Sequence, residues 1–109
     1  MNGVYVYIAS PYTIGDTEAN VRRSMDCADT LLDLGYHPFW PLNTHYLHIN
    51  KQRPYQFWMK NSIAWLLKCD CVLRLPGESS GADAEVQIAK SEGIPVVYSI
   101  EAVERIFRD

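Results

Sequence analysis

The fold is decided by residues 70–85, which read DCVLRLPGESSGADAE. The apolar run at the start predicts a buried strand that stops at Pro76 and Gly77. Ser79 or Ser80 can then cap a helix, since a serine hydroxyl accepts a hydrogen bond from the first free backbone N–H groups. A strand that passes through a short glycine-containing turn into a capped helix is the repeating unit of an α/β protein.

The rest of the chain alternates in the same way. Strands are also predicted for GVYVYIAS, YHPFWP and IPVVYSI, and helices for residues 17–34, 54–68, 79–93 and 101–108. Pro38 argues that the YHPFWP strand lies at an edge of the sheet. This order predicts an α/β fold: a single Rossmann- or flavodoxin-like domain over residues 1–109. Its parallel sheet would have about four or five strands, with helices on both faces.

Apolar spacing predicts the faces that two helices bury. For helix 17–34 the predicted buried residues are Val21, Met25, Ala28 and Leu32. For helix 54–68 they are Tyr55, Met59, Ile63, Leu66 and Leu67. The segment between them, LNTHYLHINKQR at residues 42–53, has no clean period, and we expect a loop that acts as a lid.

Composition limits the classes of function. The net charge is −3 and the only basic pair is Arg22–Arg23, which disfavours a nucleic acid polymer as partner. The apolar runs are shorter than the roughly 20 residues of a membrane-spanning helix, and no signal peptide is visible. The three cysteines form no CxxC motif and are expected to be reduced thiols, mostly buried. We expect a soluble, cytoplasmic protein.

Ligands of open parallel sheets bind beyond the carboxyl ends of the strands, so the segments after each strand are the candidate site. The segment PGESSGADAE offers free N–H groups and a helix dipole that favour an anion, together with the carboxylate of Glu85. A helix N-terminus is expected to keep that carboxylate ionised, as a glycosyl-transfer nucleophile must be. The alternative is that Glu85 only stabilises its helix, as acidic residues in first turns commonly do.

Other candidates each have a structural alternative. Asp70 is expected either to cap a turn or to contact a ligand. Several aromatic side chains could stack on a base or pack in the core or lid: Tyr12, Trp40, His45, Tyr46 and Trp58. His45 and His48 have no third ligand beside them, and no GxGxxG motif follows the first strand, so neither a metal nor a cofactor is expected.

Four segments together resemble the nucleoside 2-deoxyribosyltransferase-like family: VYVYIASPYT, LLKCDCVLRLPG, SSGADAE and IAKSEGIPVV. The resemblance covers essentially the whole chain. Its most specific element is the pattern S-x-G-x-x-x-E formed by Ser79, Gly81 and Glu85. The family includes deoxynucleoside 5′-monophosphate N-glycosidases and small phage and bacterial proteins.

The resemblance implies roles for individual residues. Glu85 would be the catalytic nucleophile that attacks the anomeric carbon, with Tyr7 beside it near the sugar. Ser79 would bind a 5′-phosphate. The substrate-binding set that it implies is Ser10, Pro11, Tyr12, Asn43, Ser62, Ser79 and Gly81.

Ser62 departs from the family pattern. Family enzymes usually carry an Asp there, which contacts the base and helps to protonate it as it leaves, and a serine cannot act as an acid at neutral pH. Asn61 or Asp83 could substitute. Three functions therefore stay open: cleavage or transfer of the N-glycosidic bond of a nucleoside 5′-monophosphate or related nucleotide, a nucleotide-binding module with little catalysis, and an NAD-type glycohydrolase that uses Glu85.

The predicted helix 54–68 carries more apolar surface than one sheet face can cover. Its apolar residues are Tyr55, Phe57, Trp58, Met59, Ile63, Trp65 and Leu66. Because family members close their pockets with a second subunit, the resemblance implies a homodimer or higher homo-oligomer. We expect this helix at the centre of the interface and the pocket beside it.

Overall fold

A computed structural model describes residues 3–108 of the chain. The described residues form a four-stranded sheet of order β2-β1-β3-β4 in which all neighbours are parallel. The strands are β1 (Tyr5–Ala9), β2 (His37–Phe39), β3 (Cys71–Arg74) and β4 (Val96–Val97). The predicted α/β class and parallel sheet are confirmed, and the proline-containing strand β2 lies at an edge.

Five α-helices surround this sheet in the described part of the chain: α1 (Thr17–Asp33), α2 (His45–Asn50), α3 (Tyr55–Leu66), α4 (Ser80–Ser91) and α5 (Ile100–Phe107). Serine and aspartate caps set three of their starts. Asp16 accepts from the backbone N–H of Ala19 at 3.1 Å, and Ser79 accepts from that of Ala82 at 3.0 Å. Ser99 caps α5 in the same way. These caps satisfy N–H groups that a helix cannot pair internally.

The core lies on both faces of the sheet, because successive side chains of a strand point to opposite sides. Val6 and Ile8 of β1 pack on one face in a cluster with residues of α1 and α5. Tyr7 and Ala9 pack on the other face with residues of α3 and α4. Helices therefore cover both faces, as the sequence predicted.

Two predicted helix faces need correction. In α1, Met25 and Leu32 are exposed, while Ser24 and Leu31 are buried in their place. The buried face of α1 is therefore rotated relative to the prediction. Ser24 can be buried because its hydroxyl donates to the carbonyl of Val21 and is satisfied. In α3, Leu66 is the one residue of the predicted apolar stripe that is fully buried.

Tyr55 and Leu67 are exposed, and Met59 and Ile63 are half-buried. The reason is that Leu66, near the end of α3, packs in the core with residues of the sheet and α4, whereas Tyr55 and Met59 in the first turns border an open cavity. The stripe predicted from spacing alone therefore does not describe one continuous buried face.

The predicted loop at residues 42–53 is largely helical, which corrects that expectation. Pro41–Thr44 form a 3₁₀ helix that continues into α2. Leu42 and His45 are buried and anchor the segment, while Tyr46, Leu47 and Ile49 point outwards. So short a helix, buried through only two side chains, leaves little periodicity in the sequence.

Two loops at the carboxyl end of the sheet are packed against each other. Gly77, after β3, has a φ of +118°, a conformation that only glycine adopts easily. A Cβ atom there would lie 2.8 Å from Cγ of Pro11, which follows β1. The positive φ and the close approach of Pro11 together explain why position 77 is a glycine.

None of the helices within residues 3–108 is long and apolar enough to cross a membrane.

Candidate active site

A cavity of about 360 Å³ opens beyond the carboxyl ends of β1 and β3. Its wall comes from the loop after β1, the 3₁₀ helix, α2, α3 and the start of α4. The volume lies in the range of pockets that hold small molecules. Its lining includes Ser10, Tyr12, Arg53, Ser62, Ser79 and Glu85.

Glu85 is the buried carboxylate of this cavity, with only 6% of the residue exposed. It stands on α4, five positions after Ser80, so its carboxylate lies in the second turn of the helix. One carboxylate oxygen, Oε2, accepts a hydrogen bond from the hydroxyl of Tyr7. Tyr7 is fully buried on β1, and the β1–β3 pairing fixes its position relative to α4.

The pKa of Glu85 is raised to about 7, chiefly because burial penalises the charged form. The hydrogen bond from Tyr7 and the charge of Arg74 lower the pKa but do not outweigh burial. The expectation that the helix N-terminus keeps Glu85 ionised is therefore wrong. The dipole effect fades after the first turn, and Glu85 lies beyond it.

Tyr7 holds its proton strongly. Burial raises the pKa of its phenol, and the neighbouring Glu85 raises it further, while interaction with the Ser62 side chain lowers it. Ser62 itself is buried on α3 and lines the cavity. The position where the family pattern has an acid is thus occupied by a hydroxyl beside the Tyr7–Glu85 pair.

Arg74 provides positive charge behind Glu85. Its guanidinium donates to the carbonyls of Leu75 and Gly77 and pairs with Asp83 at 3.0 Å. Asp83 is therefore engaged in an ion pair, and it does not line the cavity. Arg74 stabilises the turn from β3 into α4 and favours the ionised form of Glu85.

Two buried serines line the cavity: Ser79 at the start of α4 and Ser10 directly after β1. Ser79 caps α4, with its hydroxyl accepting from the N–H of Ala82. Ser10 follows β1, is 8% exposed, and its hydroxyl is buried without a hydrogen-bond partner among the described residues. An unsatisfied buried hydroxyl is costly unless a ligand contacts it.

The other side of the cavity is aromatic and basic. Trp58 donates its indole N–H to Nδ1 of His48 at 2.7 Å. The guanidinium of Arg53 lies 4.8 Å from the ring centre of Phe57 and 5.6 Å from that of Trp58. A flat ring system could stack on such a surface.

The family follows from comparison with known proteins. A family model described as Domain of unknown function (DUF7768) matches residues 4–99. The chain belongs to this family. A solved structure of the 2-deoxyribosyltransferase from the psychrotolerant bacterium Bacillus psychrosaccharolyticus is similar with a TM-score of 0.69 and 20% identity, covering 85% of this chain and 69% of that one. At that identity the likeness shows a shared fold. No curated protein matches the chain.

Most of the site residues predicted for this DUF7768 protein meet at the cavity. Ser10, Tyr12, Ser62, Gly81 and Glu85 line it, as Ser79 does. Tyr7 reaches it through Glu85.

Two predicted substrate-binding residues do not line the cavity. Asn43 is exposed, because the 3₁₀ helix turns its side chain away, and Pro11 is buried against Gly77. Asp70 lies at the other end of β3, where its carboxylate accepts from the N–H of Tyr5 at 2.8 Å. That contact favours the structural alternative for Asp70. Asn61 is exposed and does not border the cavity.

Three further residues line the cavity although the sequence did not mark them as site residues: Thr44, Arg53 and Met59. The sequence analysis expected Met59 only as a buried or interface residue. It also missed Arg74, although an arginine inside a buried apolar strand was a usable signal, since charged residues are rarely buried without a partner. Within residues 3–108, no three His, Cys, Asp or Glu side chains come together as metal ligands.

Proposed function

We propose that this DUF7768 protein cleaves or transfers the N-glycosidic bond of a nucleoside 5′-monophosphate or related nucleotide. The observation that carries the proposal is that one cavity contains both a buried carboxylate, Glu85, and the capped N-terminus of α4 at Ser79. The first is a nucleophile for an anomeric carbon, and the second is suited to an anion.

In the proposed reaction, a carboxylate oxygen of Glu85 attacks C1′ of the sugar. The C1′–N bond breaks, its electron pair goes to the base, and a covalent glycosyl-Glu85 intermediate forms. Water or a second base then attacks C1′ and releases the carboxylate. Tyr7 orients the carboxylate through its hydrogen bond to Oε2, which leaves Oε1 for the attack.

The raised pKa of Glu85 fits this role. A carboxylate whose charge is poorly solvated is more reactive as a nucleophile than one in water, and strongly perturbed acids cluster at functional sites. Only the ionised form can attack, so base release should increase as the pH rises through about 7.

Ser79 and the N-terminus of α4 supply the proposed phosphate subsite. Backbone N–H groups of the first turn point out of the helix, and the dipole adds a partial positive charge there. Gly81 lies in the same turn and lines the cavity, so backbone and phosphate can approach closely.

A nucleotide-binding module with little catalysis is the second candidate, and Ser62 is the observation that favours it. The hydroxyl beside Tyr7 cannot protonate a leaving base. Such a module would bind the same nucleotides in the same cavity and release nothing.

Base release distinguishes the two candidates. The protein is incubated with the common ribo- and deoxynucleoside 5′-monophosphates, the free nucleosides and NAD, and free base is measured by chromatography. We expect base release from a 5′-monophosphate, and a 2′-fluorinated analogue should trap the glycosyl-enzyme as an added mass on the peptide that contains Glu85. Nucleotide binding with no base release from any substrate would establish the binding module instead.

We further propose that residues 1–109 act as one nucleoside 2-deoxyribosyltransferase-like domain that forms a homodimer. Phe57 and Trp65 lie eight positions apart on one side of α3, and each is about half exposed. Such exposed aromatic surface next to a cavity is typical of an interface. The free thiols Cys27, Cys69 and Cys71 fit a reducing compartment, and we place the protein in the cytoplasm.

A further inference from the structure

A chain of three side chains connects the cavity wall to the protein surface. The hydroxyl of Tyr12 lies 2.8 Å from Nδ1 of His45, and Nε2 of His45 lies 2.9 Å from Oε2 of Glu18. His45 is buried, with 6% of the residue exposed, whereas Glu18 lies on the exposed side of α1. Tyr12 lines the same cavity as Glu85. These three side chains therefore form a continuous line of hydrogen-bonding groups from the surface to the cavity.

The surrounding structure holds this chain in place. The side-chain amide of Asn20 donates to the carbonyls of Tyr12 and Ile14, at 2.8 and 2.9 Å, and so fixes the loop after β1. The ring of Tyr12 meets His45 edge-on, with ring centres 5.6 Å apart. Three elements, the β1–α1 loop, α1 and α2, each contribute one member of the chain.

We propose that Tyr12 is the acid that protonates the leaving base, and that His45 and Glu18 resupply its proton. This assignment rests on the proposed function and fills the position that Ser62 leaves without an acid. Tyr12 is then a catalytic residue, since it touches the base, whereas His45 and Glu18 are positioning residues that act through it.

The protons balance as follows. When the C1′–N bond breaks, its electron pair goes to the base, and the base takes the proton of the Tyr12 hydroxyl. The resulting phenolate takes the Nδ1 proton of His45. His45 takes a proton back at Nε2, on the side of Glu18, where water at the surface supplies it.

The arrangement suits this direction of transfer. When Nδ1 of His45 carries a proton it donates to Tyr12, so the tyrosine hydroxyl accepts that bond and can point its own hydrogen into the cavity. Burial and, after it, the charge of Glu18 raise the pKa of Tyr12, which keeps the phenol protonated until the leaving base takes the proton. The Glu18 carboxylate lies 2.9 Å from Nε2, on the side of His45 that faces the surface.

The experiment compares leaving bases of different acidity, because a more acidic base needs less help from an acid. Base release is measured for whichever of the four common deoxynucleoside 5′-monophosphates the protein cleaves fastest, and for its ring-fluorinated counterpart. Tyr12→Phe should slow release of the natural base about 100-fold, as expected for loss of general acid catalysis. Release of the fluorinated base should slow much less, so the ratio of the two rates changes at least about ten-fold.

His45→Gln is the second variant, since the amide keeps hydrogen bonds but cannot carry the proton. His45→Gln should change the ratio of the release rates of the natural and fluorinated bases in the same direction as Tyr12→Phe, but by a smaller factor. Tyr46→Phe is the matched control, because Tyr46 is exposed on the same helix and packs edge-on against His45 without lining the cavity. We expect Tyr46→Phe to release the natural and fluorinated bases in the same ratio of rates as the wild type. Thermal melts check that each variant is folded.

Equal slowing of both bases, or no slowing, in Tyr12→Phe and His45→Gln would overturn the assignment while leaving the proposed function intact. Absence of base release by the wild type from every nucleotide and nucleoside in the test of the proposed function would instead refute that function, and this assignment with it.

Discussion

The two sides of the cavity are built differently. On the sheet side, Tyr7, Ser79 and Glu85 are buried, hydrogen-bonded and attached to β1 and α4. On the other side, α2 and the start of α3 expose large apolar side chains such as Ile49 and Tyr55, each about 60% exposed. The side chains with reactive or anion-binding groups are attached to β1 and α4, which pack in the core. The exposed apolar surface lies on α2 and α3, where a ligand or a second subunit can still cover it.

The strongest test of the sheet side is Glu85→Gln. The amide keeps the size of the side chain but removes the nucleophile, so base release should drop by at least about 1,000-fold. Nucleotide affinity should stay within a few-fold, because the phosphate subsite is untouched. Chromatography of the released base and calorimetry of nucleotide binding measure the two quantities. A variant with full activity would eliminate Glu85 as nucleophile.

The same substitution should change the pH dependence of stability. The folded pKa of Glu85 is about 7, above its ordinary value of 4.5, so the folded state binds the proton more tightly than the unfolded state. Below the ordinary pKa the side chain is neutral in both states, so there is no penalty for burying its charge. Above about pH 7 the charged form lowers the free energy of unfolding by about 3 kcal/mol.

Glu85→Gln removes that cost, so its stability relative to the wild type should rise between about pH 4.5 and 7 and then level off. Urea unfolding at several pH values measures it. A flat difference for Glu85→Gln would show that its carboxylate is well solvated.

Ser79→Ala tests the proposed phosphate subsite. A lost hydrogen bond to a charged group is worth about 1.5–3 kcal/mol, so a 5′-monophosphate should bind about 10- to 100-fold more weakly, and the matching nucleoside nearly as before. The variant also loses a helix cap, at about 1 kcal/mol. Ser99→Ala, which removes the matching cap of α5, controls for that loss of stability. Equal weakening of both ligands by calorimetry would place the phosphate elsewhere.

The smallest expected effect is a two-fold difference in molecular mass, and it tests the exposed aromatic surface of α3 as a dimer interface. Light scattering at micromolar concentration should give at least twice the protomer mass for the wild type and the protomer mass for Phe57→Glu. Ile106→Glu is a matched control, because Ile106 on α5 and Phe57 on α3 are 49% and 48% exposed. A monomeric wild type would contradict the dimer proposal, and dissociation of Ile106→Glu instead would move the interface to α5.

The sheet side was also the more predictable side. The strand, glycine turn and serine cap of residues 70–85 are local signals, and each was found where the sequence indicated. The position of α2 could not be predicted, because its buried residue His45 is held by contacts with Tyr12 and Glu18, which lie far away in the sequence.

The electrostatics of Glu85 were misjudged for a related reason. A helix N-terminus is visible in the sequence, whereas the degree of burial is set by β1, α3 and α4 together and decides the pKa. For the same reason the Tyr12–His45–Glu18 chain could not be predicted: its members stand far apart in the sequence and carry no motif.

The contact between Pro11 and Gly77 has a mechanical consequence. It joins the loop after β1 to the loop after β3, and Arg74 ties the second loop to α4. The part of the rim that carries Ser10, Ser79 and Glu85 is thus linked by contacts beyond the strand pairing of β1 with β3. The proposed nucleophile therefore stands on a braced frame, in which a shift of one loop would have to displace the other loop and the start of α4 as well.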